Sequence, residues 1–311
     1  MTPLRAALVA LVAMLVPPQT VFRTRVDAVR VDVLVTRGSR PVAGLTAADF
    51  ELRDSGVLQQ VEAVALEEVP LNLLLALDVS GSMADEPMNH LKEAAHAAVA
   101  SLSASDRASV LTFSHVVQQR IPWSADIAAI RRAIDSLEGI GSTSLTDAAF
   151  AALTMREGVD GRMLVLLFTD GVDTASWLDP LAVIDAAKRS DLVVVAVWLD
   201  SPANRTGTKG ILGDYIKAVP PATVRDWFEH EPQLLREDFL PTLADQTGGD
   251  VIVASQSRDL QAVFLKIVAE FKTRYVLTYS PQNVAPSGWH PIEVRLKDKR
   301  GEVRARRGYT R

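Results

Sequence analysis

Hydrophobic and polar positions divide this 311-residue chain into two flanks and a centre. In the N-terminal flank Val29, Val31, Val33 and Val35 alternate with Arg30, Asp32 and Thr36, a period of two that marks a half-buried strand. Residues 37–40 form a turn, residues 50–53 repeat the alternation, and Asp54-Ser55-Gly56 signals a hairpin leading into a strand over 57–66. Residues 21–69 are thus predicted to be β-rich with little helix.

The pattern changes near Pro70. Residues 71–77 form an apolar run interrupted only by Asn72, as expected of a strand covered on both faces. An Ala-rich helical stretch follows over 88–102, then a strand over 108–113 with a hairpin partner over 116–121. Helices are predicted over 127–137 and 145–155, and another fully apolar strand over 163–168. A helix with Pro180 in its first turn covers 180–188, and a buried strand 192–199. Residues 201–233, rich in Pro, Gly and charge, read as an insertion or long loop. The rhythm resumes with a helix over 234–244, a strand over 250–254 and a helix over 260–271. Strands alternating with helices predict an α/β fold, doubly wound around a mostly parallel sheet. Alternation then returns over 275–280, 290–296 and 302–309. Neither flank has enough strands to stand alone. The economical arrangement pairs residues 273–311 with residues 21–69 in one smaller β-rich unit, for which an immunoglobulin-like form is open, with residues 70–272 inserted between them.

Composition narrows the function classes. Hydrophobic residues make up 48% and charged residues 23%, so the body is globular. The net charge of −5 lacks the basic footprint that broad nucleic-acid binding requires. Without cysteine there is no disulfide, no Cys-ligated zinc and no thiol catalysis. Residues 1–5 are short and basic, residues 6–16 are unbroken apolar, and Pro17-Pro18 ends the run. That anatomy fits a secretory signal peptide over 1–20, and the run falls short of the ~20 residues of a spanning helix. The expectation is export to the periplasm, the cell envelope or beyond, with no stable membrane span in the mature chain.

Candidate chemistry gathers at strand ends. The 71–77 strand runs into Asp78-Val79-Ser80-Gly81-Ser82, and ligands of open α/β sheets bind beyond the carboxyl ends of the strands. Alternate positions place one carboxylate and two hydroxyls in a tight turn that Gly81 permits. The segment 139–146 offers Thr143 just before a helix, and the strand ending at Phe168 runs into Thr169-Asp170-Gly171, offering Asp170. An all-oxygen donor set with few charges suits a hard cation, Mg²⁺ better than Ca²⁺, with Mn²⁺ also admissible. A helix N-cap box would explain one of these residues but not three coordinated loops. His115 could act as a general base near the site, although an ordinary strand-end role suits it better. Trp177 and Asp173, following the Asp170 segment, could touch a partner or simply pack.

These three segments, Asp78-x-Ser80-x-Ser82, Gly141-Ser142-Thr143-Ser144-Leu145 and Thr169-Asp170-Gly171, resemble the metal-site segments of von Willebrand factor A domains. The resemblance covers roughly residues 70–272 and departs only at Ser142, where a second Gly is common. The flanks are similar to those of exported bacterial members of the family, through Val42-x-Gly44-Leu45-x-x-x-Asp49-Phe50, Tyr275-x-Leu277-x-Tyr279-x-Pro281 and Arg307-Gly308-Tyr309. It implies that Asp78, Ser80, Ser82, Thr143 and Asp170 form a metal-ion-dependent adhesion site. It also implies a protein-binding module, not an enzyme, whose cation bridges to an acidic residue of a protein partner. A scaffold subunit beside an ATPase and a metal-dependent hydrolase are the alternatives. Asp78-Val79-Ser80 lacks the second Asp of a haloacid-dehalogenase-type phosphotransferase, and no Gly-x-Ser-x-Gly surrounds Ser80.

Overall fold

The computed structural model describes residues 28–38, 40–65, 69–156, 160–171, 173–200, 233–297 and 301–311. The signal-peptide expectation and nearly all of the 201–233 insertion lie outside them.

Strands β1 (Val29–Arg37), β2 (Arg40–Pro41), β3 (Phe50–Asp54), β4 (Val57–Gln59) and β5 (Ala63–Ala65) form the N-terminal flank. The strand expected over 57–66 is therefore two strands, and they join different sheets.

The α/β centre begins with β6 (Leu71–Asp78) and α1 (Glu86–Ala100), followed by β7 (Arg107–Phe113), β8 (Val117–Ser124), α2 (Ile127–Asp135) and α3 (Leu145–Thr154). Then come β9 (Arg162–Thr169), α4 (Pro180–Ala187), β10 (Val193–Leu199), α5 (Gln233–Thr247), β11 (Asp250–Ala254) and α6 (Leu260–Lys272). The six strands are ordered β11-β10-β9-β6-β7-β8, all parallel except β8, which runs antiparallel to β7.

Local chemistry sets the helix starts: Asp126 caps α2 through Ala129 N at 3.0 Å, and Asp179 caps α4 through Leu181 N at 2.8 Å. The strand period of two sends Leu73, Leu75 and Leu77 of β6 to one face and Leu74 and Ala76 to the other. The first face packs on α1, α2 and α6, the second on α3, α4 and α5. Each buried Leu contributes roughly 1.5–3 kcal/mol, so the apolar runs of β6, β9 and β10 hold these three strands at the middle of the sheet.

The C-terminal flank comprises β12 (Tyr275–Tyr279), β13 (Trp289–Leu296), β14 (Glu302–Arg304) and β15 (Gly308–Thr310). Residues 302–309, expected as one strand, likewise split between two sheets. One antiparallel sheet is ordered β14-β1-β12-β5, with β2 beside β1, and the other β15-β13-β3-β4. Val31, Val33, Phe50, Leu52, Tyr275 and Leu277 share the core between them. Asp54 is fully buried in it. Its carboxylate accepts from Tyr279 OH at 2.9 Å in one sheet and Tyr309 OH at 2.8 Å in the other, with His290 Nδ1 at 3.0 Å.

Buried arginines hold the flanks to the centre. Arg162, at the start of β9, ion-pairs with Asp32 of β1, donates to the Phe271 carbonyl at 2.9 Å and lies 4.4 Å over the Phe271 ring. Arg306 donates to the carbonyls of Arg30 and Ser190. Arg274 donates to the Gly248 carbonyl at 2.7 Å, and burial lowers its guanidinium to about 10.

Candidate metal centre

Sheet register builds the site. Strands β6 and β9 are parallel neighbours with Leu77 level with Phe168, so Asp78 and Thr169 follow side by side at their carboxyl ends. Thr169 Oγ1 donates to Asp78 Oδ2 at 2.7 Å, and Ser80 N–H donates to Asp78 Oδ1 at 2.9 Å. Beyond the strand end the chain tightens into a single turn of 3₁₀ helix, Gly81–Met83. Ser80 and Ser82 hydroxyls lie 3.1 Å apart, and Ser82 Oγ donates to Asp170 Oδ1 at 3.0 Å. The serine oxygens therefore face one another, and that of Ser82 faces Asp170; Ser80, at the N-cap of that turn, makes no side-chain cap hydrogen bond.

The third segment closes on the first through the backbone. Gly81 N–H donates to the Gly141 carbonyl at 2.9 Å, and Ile140 N–H to the Val79 carbonyl at 2.8 Å. Glycine is needed where the segments meet. A Cβ on Gly139 would lie 2.8 Å from Ala84 N, and Gly141 has φ +87° with its Cβ position against the His115 ring. Thr143 is buried, and its hydroxyl lies beside Gly171: a Cβ there would be 3.5 Å away. All five residues singled out in the sequence are thus brought to one end of the sheet, with Asp78, Ser80, Thr143 and Asp170 buried and Ser82 exposed.

The electrostatics of the two carboxylates fit a cation. Burial pushes Asp78 up to about 6 against the hydrogen bonds from Thr169 and Ser80, and the nearby Asp170 charge adds to the rise. Burial also raises Asp170, against the hydrogen bond from Ser82. The groups bonded to these carboxylates are hydroxyls and backbone N–H groups, and the charge bearing on Asp78 is another carboxylate. Two buried anions facing each other are costly unless a positive charge joins them. Among the described residues no three His, Cys, Asp or Glu gather into a metal cage, so an ion here would rest on these two carboxylates with hydroxyls and water.

Residues 72–219 match the family model described as the von Willebrand factor type A domain. By that match residues 72–219, just under half of the chain, are a von Willebrand factor type A domain. A von Willebrand factor type A structure from Catenulispora acidiphila shares the fold at TM-score 0.50 and 14% identity, over 86% of this chain and 74% of that one. Proximal thread matrix protein 1 of the mussel byssus, in a structure with a zinc-occupied MIDAS motif, is similar at TM-score 0.48 and 14% identity, over 71% of this chain and 50% of that one. An uncharacterised protein of Synechocystis sp. is 34% identical over 111 residues, which are 33% of this chain and 26% of the relative. The match thus spans about a quarter of that relative's length.

One residue joins the five of the candidate site. Thr169 is fully buried and holds Asp78; its place in the Thr169-Asp170-Gly171 segment was the available signal. Asp173 packs inside the loop array instead of facing outward, whereas Trp177 is 95% exposed. His115 is an exposed residue beside Ser114 and Gly141. The other described histidines are engaged elsewhere, His90 with Ser257, His96 with Asp135 and His290 with Asp54.

Proposed function

We propose that this protein is a metal-dependent protein-binding module whose site is formed by Asp78, Ser80, Ser82, Thr143 and Asp170. The observation that carries the reading is the meeting of two buried, uncompensated carboxylates with serine hydroxyls at the carboxyl end of the sheet. The donor set favours Mg²⁺, with Mn²⁺ and Ca²⁺ as alternatives. The five residues would hold the cation, and when bound it supplies a positive centre for an acidic residue of a protein partner. Thr169 and the Ser80 N–H fix the Asp78 carboxylate, and Ser82 orients that of Asp170. Trp177, exposed in the segment following Asp170, offers an aromatic anchor to the same partner. The basic, apolar N-terminal run supports export, so the partner would be met in the cell envelope or outside the cell. No described helix is long and apolar enough to cross a membrane.

Thermal unfolding of the mature chain with Mg²⁺ and with chelator, beside Asp78→Ala, tests the reading. A ligand that binds only the native state adds about 2.7 kcal/mol at 100 times its dissociation constant. Mg²⁺ raises the melting temperature of the wild type and leaves Asp78→Ala unmoved. An equal response of both proteins, or of neither, overturns the assignment.

A further inference from the structure

Two acidic residues outside the proposed ligand set bind the segment 173–178 to the start of α3 in a reciprocal pattern. Asp173 Oδ2 accepts from Thr146 N at 2.8 Å and from Thr146 Oγ1 at 2.6 Å. Its Oδ1 accepts from Ser176 N at 3.0 Å and Ala175 N at 3.3 Å. In the opposite direction Asp147, in the first turn of α3, accepts from Trp177 N at 3.1 Å and Leu178 N at 2.9 Å. Ser176 Oγ accepts from Asp147 N at 3.1 Å. The free N–H groups that open a helix are ordinarily capped by the residues just before it. Here those of Thr146 and Asp147 are capped from a segment about thirty residues away in the chain.

Thr143 lies inside this array. Its carbonyl accepts from Thr174 N and Ala175 N, both at 2.9 Å, and its own N–H donates to Thr174 Oγ1 at 3.1 Å. Its backbone is thus tied on both sides to the segment that follows Asp170. Every one of these bonds is satisfied by protein groups alone, so nothing in the array waits for an ion to complete it.

We propose that Asp147 and Asp173 form a reciprocal carboxylate latch that sets Thr143 against Asp170 before any cation arrives, making both acids positioning residues for the metal site. This rests on the reading of Thr143 and Asp170 as ligands. A latched site binds its ion without first ordering two loops, and binding is tighter by the ordering cost avoided. The latch also fixes the backbone that carries Trp177, so the exposed indole is presented from a held position.

The test is calorimetric titration of the full chain with Mg²⁺, for wild type, Asp173→Ala, Asp173→Asn and Asp147→Asn, with backbone amide hydrogen exchange of each in chelator and in Mg²⁺. In the wild type the amides of Thr146, Ser176, Trp177 and Leu178 are protected in chelator. In Asp173→Ala, Mg²⁺ affinity falls roughly 10–100-fold, the range seen when groups that orient metal ligands are removed. The same amides then exchange quickly in chelator and regain protection on adding Mg²⁺. Asp173→Asn, which keeps an acceptor oxygen, falls between. Circular dichroism in chelator confirms that each variant is folded, and Asp147→Asn gives a second route if Asp173→Ala does not fold. Unchanged Mg²⁺ affinity in folded variants overturns the latch, as does wild-type protection that appears only with Mg²⁺. A wild type that binds no Mg²⁺ removes the metal reading itself, and the latch's role with it; that failure shows without any latch variant.

Discussion

The Arg162 guanidinium lies 2.6 Å from the Asp32 carboxylate, joining the first residue of β9 to β1 across 130 positions of sequence. Arg162 is 6% exposed, and its other contacts are the Phe271 carbonyl and the face of the Phe271 ring. Removing one partner of a buried pair strands the other charge, at a cost of about 3–5 kcal/mol. Arg162→Ala should therefore lose stability on that scale in urea unfolding. Arg162→Met paired with Asp32→Leu should recover most of the loss, because neither charge is left behind.

Asp54 accepts hydrogen bonds from both flank sheets, from Tyr279 in one and Tyr309 in the other. Asp54→Ala removes the acceptor shared by two hydroxyls and the His290 ring in an apolar core, each lost bond costing about 1–3 kcal/mol. The expected result is a fall of about 3 kcal/mol or more by chemical denaturation. A change below 1 kcal/mol would show that the sheets are held by their apolar contacts alone.

The same contact predicts an alkaline transition. Burial, with the hydrogen bond to Asp54, pushes Tyr309 up to about 12 from an ordinary value near 10, and Tyr279 rises for the same reasons. A tyrosine raised in the folded state binds its proton more tightly there than in the unfolded chain. Its stabilisation is complete below pH ~10 and is lost as pH rises towards ~12. Absorbance titration near 295 nm should show phenolate appearing late for these two tyrosines, and unfolding midpoints should fall over the same interval. Tyr309→Phe should flatten that fall.

Gly139 lets two site segments touch. A side chain there meets the backbone of Ala84 at 2.8 Å, and backbone has no rotamer with which to yield. Gly139→Ala should cost about 1–3 kcal/mol as an overpacked contact and weaken Mg²⁺ binding, read by thermal unfolding with and without the ion. A stable variant with undiminished Mg²⁺ response would show that the segments can separate freely.

The central strands were legible because burial on both faces leaves a long apolar run, as in β9, β10 and, but for Asn72, β6. The flank was harder to read. Alternation continues through residues 57–66, yet the chain leaves one sheet after Gln59 and enters the other at Ala63. A period of two reports which face is buried, not which strand lies alongside. Residues 302–309 misled for the same reason: Arg304 and Gly308 end and begin strands of different sheets. At the site, the residues singled out stand at strand ends and a helix start, where local sequence carries a signal. Asp147 gave none and Asp173 only its place after the Asp170 segment, because the helix-start groups that Asp173 caps and the loop N–H groups that Asp147 binds are remote in sequence and only the folded loops bring them together.

Strands β6 and β9 each have eight residues, with Arg162 at one end and Asp78 and Asp170 just at or beyond the other. At about 3.3 Å per residue the two regions are roughly 25 Å apart, several times the ~8 Å over which physiological salt screens charge. The arginines that grip the flank and the acids that would grip an ion therefore occupy opposite poles of one sheet. Charge can be changed at either pole without the other sensing it through Coulomb forces, and the energies should add. Among the described residues the flanks hold the sheet at one pole, and the candidate site lies at the other.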